Sequence, residues 1–342
     1  MKAVRIHQHG GPEVLVQEDI PEPQIRPDEI LLRVRAVSLN HLDLFVRAGI
    51  PGQKFAMPHI LGSDIAGEVL ETGALTGRIK PGQRVLLSPG LSCRQCERCV
   101  SGNDNRCARY TLFGSGIPGG YRELMAVPEY AAIPIPDDLS FEDAAAVPLV
   151  FVTAWHMLFS RARLEAGEDV LVLAASSGVG SAAVQIAKLF HCRVIATAGS
   201  DDKRAKAAEL GADLTIDHYR QDISAEVKKF TGRRGVDVVF EHVGAATWPK
   251  SMESLAAGGR VVTCGATTGF DVKVDLRYLF FKQQSVLGSF MGTLGDLHRV
   301  LRFVFRKQLK PVVDKVFPLS AVREAHERLE NKEQFGKIVL VP

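Results

Sequence analysis

The stretch "DVLVLAASSGVGSAAVQIAKLF", residues 169–190, decides the fold of this 342-residue chain. It begins as an apolar run typical of a buried strand, passes through a turn of small residues, and ends with apolar residues at helical spacing. Further strand and helix patterns alternate after it, as far as "GRVVTCGATTG" at residues 259–269. Such alternation predicts βαβ units around a parallel sheet, the pattern of a doubly wound α/β fold.

The turn "AASSGVG", residues 174–180, is a candidate dinucleotide site because it joins a buried strand to an amphipathic helix. It fits the G-x-G-x-x-G fingerprint only in part, since Ala175 and Ser177 replace the first two glycines. The N-terminal amides of the following helix can nevertheless receive a pyrophosphate. We therefore predict that the cofactor contacts Ser177, Gly178, Val179 and Gly180.

The end of the second strand, "VIATAGSDDKR" at residues 194–204, distinguishes between the two nicotinamide dinucleotides. An NAD-type site places a carboxylate here for the ribose 2′-hydroxyl, but this strand ends without one. Ser200 can donate a hydrogen bond to a 2′-phosphate, and Lys203 can neutralise it. Asp201 and Asp202 argue for NAD(H), although carboxylates at a helix N-terminus also serve as caps. The sequence predicts NADP(H).

A cysteine lobe at about residues 91–110 contains Cys93, Cys96, Cys99 and Cys107 in the spacing C-x2-C-x2-C-x7-C. Zinc favours four thiolates delivered by such closely spaced turns, and a full set of four leaves no open position for substrate. We predict one structural Zn²⁺; a redox-sensing or metal-free thiol cluster is the alternative.

Composition and charge predict a soluble globular protein of two domains without a nucleic-acid partner. Lys and Arg number 42 against 39 Asp and Glu, a net charge of +3, and no basic arm stands out. No apolar run reaches the length of about 18 residues that a membrane helix needs. The N-terminus "MKAVRIHQHGGPEV" has no run suited to a signal peptide, so we expect a cytoplasmic protein with reduced thiols.

Several motifs together resemble the medium-chain dehydrogenase/reductase superfamily over nearly the whole length: "NHLDLFVRAG" (40–49), "PHILGSDIAGEV" (58–69), "GGYRELMAVP" (119–128) and "FGKIVLVP" (335–342). The resemblance implies a GroES-like, β-rich catalytic domain formed by residues 1–150 and 287–342, which contains the cysteine lobe. It also implies a Rossmann domain, which binds NADP(H), over residues 151–286.

The zinc alcohol dehydrogenases of this superfamily carry a second, catalytic zinc, whose ligands this sequence lacks. Asn40 stands where they have a cysteine, Ser63 where they have a histidine, and "AVPLVFVTAWHML" (146–158) offers no third cysteine. Amide and hydroxyl groups are poor zinc ligands. The "GSDIAG" run instead resembles the zinc-free quinone oxidoreductase and enoyl reductase branch. We expect Asn40 to orient the substrate through its amide and Ser63 to be a second donor.

The resemblance also implies cofactor contacts outside the turn. Thr153 matches a threonine against the nicotinamide, and Gly265 and Ala266 match backbone that lines the nicotinamide pocket. Tyr219 matches a tyrosine near the adenosine 2′-phosphate. Lys337 matches a basic residue near the cofactor phosphates.

Three functions remain open on the sequence alone. The first is NADPH-dependent reduction of activated C=C bonds or quinones, with enones, alkenals, acyl-CoA enoates and quinones as substrates. The second is an alcohol or aldehyde dehydrogenase with an unusual metal set such as Asp64, His41 and His59. The third is a non-catalytic NADPH-binding protein. The apolar segment "VDLRYLFFKQQSVLGSF" (274–290) predicts a homodimer or homotetramer.

Overall fold

The structure, a computed structural model, describes all residues 1–342 and divides into two compact units. Unit 1 comprises Met1–Leu149 and Lys310–Pro342, and unit 2 comprises Val150–Leu309. The first boundary falls beside the predicted one at residue 150. The second falls at residues 309 and 310 instead of 286 and 287.

The N-terminal part of unit 1 consists mainly of strands. Its elements are β1 (Lys2–Arg5), β2 (Val16–Asp19), β3 (Glu29–Ser38), α1 (His41–Ala48), β4 (Asp64–Thr72), β5 (Arg84–Leu87), β6 (Gly90–Leu91), α2 (Glu97–Val100), β7 (Thr111–Leu112), β8 (Leu124–Pro128), β9 (Ala132–Pro134) and α3 (Phe141–Ala145).

Strands and helices alternate in the next part of the chain. These elements are α4 (Pro148–Trp155), β10 (Asp169–Val172), α5 (Gly178–Leu189), β11 (Arg193–Ala198), α6 (Asp201–Glu209), β12 (Leu214–Asp217), α7 (Ile223–Phe230), β13 (Val236–Glu241), α8 (Trp248–Ser254), β14 (Leu255–Thr263), α9 (Leu276–Phe281), β15 (Ser285–Gly288) and α10 (Leu294–Phe305). The chain then returns to unit 1 with β16 (Val313–Pro318), α11 (Val322–Glu330) and β17 (Lys337–Val341).

A seven-stranded sheet forms the centre of unit 1, with the order β16-β17-β3-β4-β5-β9 and with β8 paired to β3. The long strand β3 alternates buried apolar and exposed polar side chains, so one of its faces packs into the core. The C-terminal strand β17 pairs antiparallel with the end of β3, through Val339 opposite Ser38 and Leu340 opposite Val37. This pairing brings the last residues of the chain beside the segment that begins at Leu39.

Unit 2 is a six-stranded sheet with the order β12-β11-β10-β13-β14-β15, and every neighbouring pair is parallel. Counted within the unit this is the order 3-2-1-4-5-6 of a dinucleotide-binding Rossmann fold, which confirms the predicted fold class. The strands are apolar and buried on both faces, as parallel strands covered by helices must be.

An aromatic cluster explains why α10 belongs to unit 2. The ring of Phe303 on α10 lies 5.5 Å from that of Trp155 and 5.9 Å from that of Phe190. Phe159 lies 4.5 Å from both Trp155 and Phe190, which closes the cluster. Such contacts between large apolar rings hold α10 against unit 2 and move the boundary beyond it.

A buried polar chain crosses the core of unit 1. The fully buried Arg47 donates from Nη1 to Nδ1 of His326 at 3.0 Å, and its Nη2 pairs with Glu330. Because arginine can only donate, Nδ1 of His326 accepts, and Nε2 carries the hydrogen that it donates to the Tyr121 hydroxyl at 3.1 Å. Burial, and secondly the charge of Arg47, lowers the pKa of His326 to about 3.

None of the helices combines the length and the hydrophobicity needed to cross a bilayer.

The depressed pKa of His326 predicts an acid-sensitive unit 1. An unfolded histidine takes up a proton near pH 6.5, whereas the folded one stays neutral to about pH 3, so stability is lost as pH falls through this window. His326→Gln keeps an acceptor and a donor without the titration. As the pH falls through this window, we expect the free energy of unfolding of the variant to decrease less than that of the wild type. The difference should be about 1.4 kcal/mol per pH unit.

Urea unfolding between pH 7 and pH 4, followed by circular dichroism, measures this difference. His191→Asn, at an exposed histidine of unit 2, is the control and should titrate like the wild type. Parallel pH dependences of the His326→Gln protein and the wild type would contradict the assignment.

Candidate active site

One buried carboxylate, that of Asp43, connects the turn before α1 with the turn before β4 through hydrogen bonds. Asp43 accepts hydrogen bonds from the backbone N–H of Asn40 at 2.7 Å and from that of Gly62 at 2.8 Å. Burial raises the pKa of Asp43 to about 6, although both backbone hydrogen bonds act in the opposite direction. Asp43 therefore fixes the "NHLD" and "GSD" motifs relative to each other, and its oxygens are engaged with protein donors.

Asn40, Asp64 and Lys337 form a buried polar cluster. Lys337 begins β17 and is 4% exposed, Asp64 begins β4 and is fully buried, and Asn40 is 7% exposed. The Lys337 ammonium lies 3.0 Å from Oδ2 of Asp64, 2.6 Å from Oδ1 of Asn40 and 2.7 Å from the carbonyl oxygen of Leu39. These three acceptors use all three N–H bonds of the ammonium.

Both oxygens of Asp64 accept hydrogen bonds from the protein. Its Oδ2 accepts from Lys337 and from Nδ2 of Asn40, both at 3.0 Å. Its Oδ1 accepts from the backbone N–H of Leu149 at 2.7 Å. Both carboxylate oxygens of Asp64 are therefore engaged with protein donors.

Two predicted site residues have protein partners in the structure. Lys337, predicted near the cofactor phosphates, directs its ammonium to Leu39, Asn40 and Asp64 within unit 1. Ser63, predicted as a second substrate donor, donates from its fully buried hydroxyl to the carbonyl oxygen of Phe113 at 2.6 Å. Asn40 keeps one amide N–H without a protein acceptor, because Nδ2 makes a single hydrogen bond.

The unusual metal set of the alcohol dehydrogenase alternative is not assembled. The one group of three or more potential metal ligands in the chain is the cysteine cluster, so Asp64, His41 and His59 do not converge. His59 is buried, its Nε2 has no hydrogen-bond partner, and burial lowers its pKa.

The four thiols of the cysteine lobe are arranged as a tetrahedron. All four sulfurs lie within 4.8 Å of one another. Cys93 and Cys99 are 3.8 Å apart, Cys96 and Cys99 3.6 Å, and Cys96 and Cys107 3.8 Å. A zinc ion with four Zn–S bonds of about 2.3 Å has S···S edges of about 3.8 Å. Backbone N–H groups of Gln95 and Cys96 lower the pKa of the Cys93 thiol to about 5, whereas the neighbouring thiols raise the pKa of Cys96, so negative charge in the cluster lies first on Cys93. The residues therefore fit a structural Zn²⁺.

The turn between β10 and α5 presents a helix N-terminus at the carboxyl edge of the parallel sheet. The Ser177 hydroxyl caps α5 by accepting from the Gly180 N–H at 2.9 Å. A Cβ on Gly180 would lie 2.5 Å from the carbonyl oxygen of Ala174, so only glycine allows this approach. Ser177, Gly178 and Val179 are half-buried, which leaves the first amides of α5 accessible to an anion.

The tip of β11 carries no carboxylate. The Ser200 hydroxyl caps α6 and accepts from the Lys203 N–H at 3.3 Å. Asp201 pairs with Arg204 at 2.5 Å, and Asp202 pairs with Lys206 at 2.9 Å, so both carboxylates form ion pairs along the helix. The exposed ring of Tyr219 lies against Gly199, where a Cβ would come within 2.6 Å of the ring.

The remaining predicted cofactor residues also lie in unit 2. Gly265 and Ala266 follow β14 beside the segment that follows β13: a Cβ on Gly265 would lie 3.1 Å from the His242 carbonyl oxygen. His242 Nε2 lies 3.3 Å from the Ser177 hydroxyl, which connects these residues to the turn before α5. Thr153 on α4 is 5% exposed, and its buried hydroxyl has no hydrogen-bond partner. An unpaired buried hydroxyl fits a polar ligand group such as a carboxamide.

Sequence reasoning missed Asp64 as the hub of the polar cluster and Lys337 as its cation. A signal existed, because "FGKIVLVP" places a lysine at the start of an otherwise apolar buried strand. A buried ammonium requires a carboxylate partner, but the sequence does not show which one.

Comparisons with known proteins agree with this architecture. The alcohol dehydrogenase GroES-like domain family matches residues 26–137, and the zinc-binding dehydrogenase family matches residues 178–306. A quinone oxidoreductase from Pongo abelii is 30% identical, over 100% of this chain and 98% of its own length. A crotonyl-CoA carboxylase/reductase from Cereibacter sphaeroides is 30% identical, over 99% of this chain and 86% of its own length.

Among solved structures, an NAD-dependent alcohol dehydrogenase is 45% identical, with a TM-score of 0.97 and full coverage of both chains. These relatives are oxidoreductases that share both units and differ in the substrates that their names state. The chain is an oxidoreductase of the medium-chain dehydrogenase/reductase superfamily.

Proposed function

We propose that the protein is an NADPH-dependent reductase of activated C=C bonds or quinones that works without a catalytic zinc. The observation that carries this proposal is the buried polar cluster, in which an ammonium, not an open set of metal ligands, lies between Asn40 and Asp64. A metal-dependent alcohol dehydrogenase needs about three ligands and an open coordination position. The names of the quinone oxidoreductase and crotonyl-CoA carboxylase/reductase relatives support the same substrate classes.

Asn40 supplies the chemistry that this reaction requires of the protein. NADPH, when bound at the turn before α5, would supply the hydride for the β-carbon of the alkene. The uncommitted N–H of Asn40 donates to the conjugated carbonyl oxygen of the substrate and stabilises the negative charge that develops there. Water or a side chain then protonates the α-carbon, which completes the reduction.

Charge balance in the cluster supports reduction of such substrates. A bare carboxylate beside a developing oxyanion would raise the energy of the transition state. Asp64 is neutralised by Lys337 at 3.0 Å, so the cluster presents no net charge. The ion pair therefore offsets the charge of Asp64 at the Asn40 amide.

The cofactor proposal rests on the tip of β11. Asp201 and Asp202 are paired on α6, and the Ser200 hydroxyl and Lys203 lie at the start of the same helix. A 2′-phosphate there would meet the Ser200 hydroxyl and a positive charge, and the carboxylates of the same helix turn are held in ion pairs. We propose NADP(H), with Tyr219 beside the adenosine end and Thr153 with Gly265 and Ala266 beside the nicotinamide. We also propose one structural Zn²⁺, held by Cys93, Cys96, Cys99 and Cys107.

The proposed reaction is tested by NADPH oxidation with crotonyl-CoA, a 2-alkenal and a quinone, beside NADP⁺ reduction with simple alcohols. We expect turnover of at least one electron-poor acceptor and no oxidation of the alcohols. Asn40→Ala should lower kcat by about 100-fold, the effect of losing one oxyanion donor. Asn331→Ala, at an exposed asparagine that follows α11, is the matched control.

Two results would contradict the proposal. Metal-dependent alcohol oxidation would support the dehydrogenase alternative. Tight NADPH binding without turnover of any acceptor would support the non-catalytic one.

Lys203 tests the choice of dinucleotide. We expect NADPH to bind more tightly than NADH, and Lys203→Met to weaken NADPH binding by about 10-fold while it leaves NADH binding unchanged. Isothermal titration calorimetry measures both affinities. Lys206→Met, on the same helix but further from the tip of β11, should change neither affinity. Tighter binding of NADH by the wild type would overturn the assignment.

We propose that the chain self-associates through β15, the terminal strand of the unit 2 sheet. One edge of this strand has no partner in the chain, and large apolar side chains are exposed on and around it, among them Phe280, Phe281, Val286 and Phe290. Such an edge is a template for pairing with another copy. We expect Val286→Asp to convert a dimer or tetramer into smaller species in light scattering, whereas Leu75→Asp, at an exposed leucine of unit 1, should not. A monomeric wild type would refute self-association.

A further inference from the structure

We propose that Lys337 is a positioning residue that serves as a built-in cation: it fixes the Asn40 amide in the one orientation that leaves an N–H for the substrate oxygen. The inference deepens the proposed function and rests on it. The new element is that a residue that does not touch the substrate sets the orientation of the Asn40 amide, which is the donor.

The orientation follows from the partners of the amide. Oδ1 of Asn40 accepts from the Lys337 ammonium at 2.6 Å, and Nδ2 donates to Oδ2 of Asp64 at 3.0 Å. A rotation of the amide by 180° would place its NH₂ group against the ammonium and its oxygen against the carboxylate. Both contacts would then be repulsive in a buried site, so only the observed orientation is allowed.

The ammonium is itself fixed. Its three acceptors are the carbonyl oxygen of Leu39, Oδ1 of Asn40 and Oδ2 of Asp64, at 2.7, 2.6 and 3.0 Å. The side chain is 4% exposed, and Lys337 is held by the pairing of β17 with β3. The protein therefore supplies a positive charge at this position itself, and it does not need to bind a cation from solvent there.

Removal of the ammonium should leave a site for a small organic cation. Lys337→Ala keeps the oxygens of Leu39, Asn40 and Asp64 but removes the positive charge between them. The n-propylammonium ion has the same heavy atoms as the part of the side chain that this substitution deletes. The variant should therefore bind n-propylammonium, whereas the neutral 1-propanol should not replace it, because the Asp64 carboxylate remains uncompensated.

The experiment compares Lys337→Ala with the wild type in two assays. In the first, we expect n-propylammonium, but not 1-propanol, to raise the melting temperature of the variant in a saturable manner. In the second, we expect kcat for the accepted substrate to fall by about 100-fold and to recover by about 10-fold with n-propylammonium. The Kd for NADPH should stay within about threefold of the wild type.

Two variants serve as controls. Lys315→Ala, at an exposed lysine on the neighbouring strand β16, should respond to neither compound. Lys337→Met fills the space without the charge, so it should lose kcat without rescue.

Each outcome decides the proposal. Unchanged kcat in Lys337→Ala would overturn it, and so would a loss of kcat with neither stabilisation nor rescue by n-propylammonium. Weaker NADPH binding with normal kcat would assign Lys337 to the cofactor phosphates instead. If the wild type turns over no acceptor, the proposed function fails. Saturable stabilisation of Lys337→Ala by n-propylammonium would then still establish the cation site, and a lack of stabilisation would refute that site.

Discussion

The ion pair between Lys337 and Asp64 is the interaction on which the candidate active site depends. It joins the last strand of the chain to the first residue of β4, and Asn40 lies between the two charges. A buried pair of this kind is tolerated only when nearly every lone pair and N–H is satisfied, and here three acceptors surround the ammonium. The same contacts that satisfy the charges also orient the amide, so stability and function place the same demand on these residues.

This arrangement separates the two possible uses of metal in the protein. The cysteine lobe has four thiols with the spacing of a zinc tetrahedron, in a loop with few apolar residues of its own. The polar cluster has the opposite character: oxygen acceptors already filled by protein donors. A metal held by the cysteine lobe stabilises a loop, whereas Lys337 already balances the charge of Asp64 in the polar cluster. In the function that we propose, chemistry at the substrate depends on a hydrogen-bond donor and not on a Lewis acid.

Much of the fold was predictable because its signals are local. The alternation of strands and helices and the small-residue turn at residues 174–180 predict the Rossmann unit, and the cysteine spacing predicts the lobe. The polar cluster was less predictable, because residues 40, 64 and 337 come together only through the pairing of β3 with β4 and β17. The motif around Lys337 indicated a functional lysine, but a one-dimensional pattern does not specify the partner of a buried charge. The same limit explains the predicted boundary at residue 286, since the apolar face of α10 does not show which unit covers it.

Anomalous diffraction at the zinc edge, from crystals of enzyme that has been shown to turn over its substrate, distinguishes a buried ammonium from a catalytic zinc. It counts the zinc ions in the active protein and locates each one. We expect a single peak among Cys93, Cys96, Cys99 and Cys107, with the Lys337 ammonium between Asn40 and Asp64. A second peak within bonding distance of Asp64, with Lys337 displaced, would contradict it.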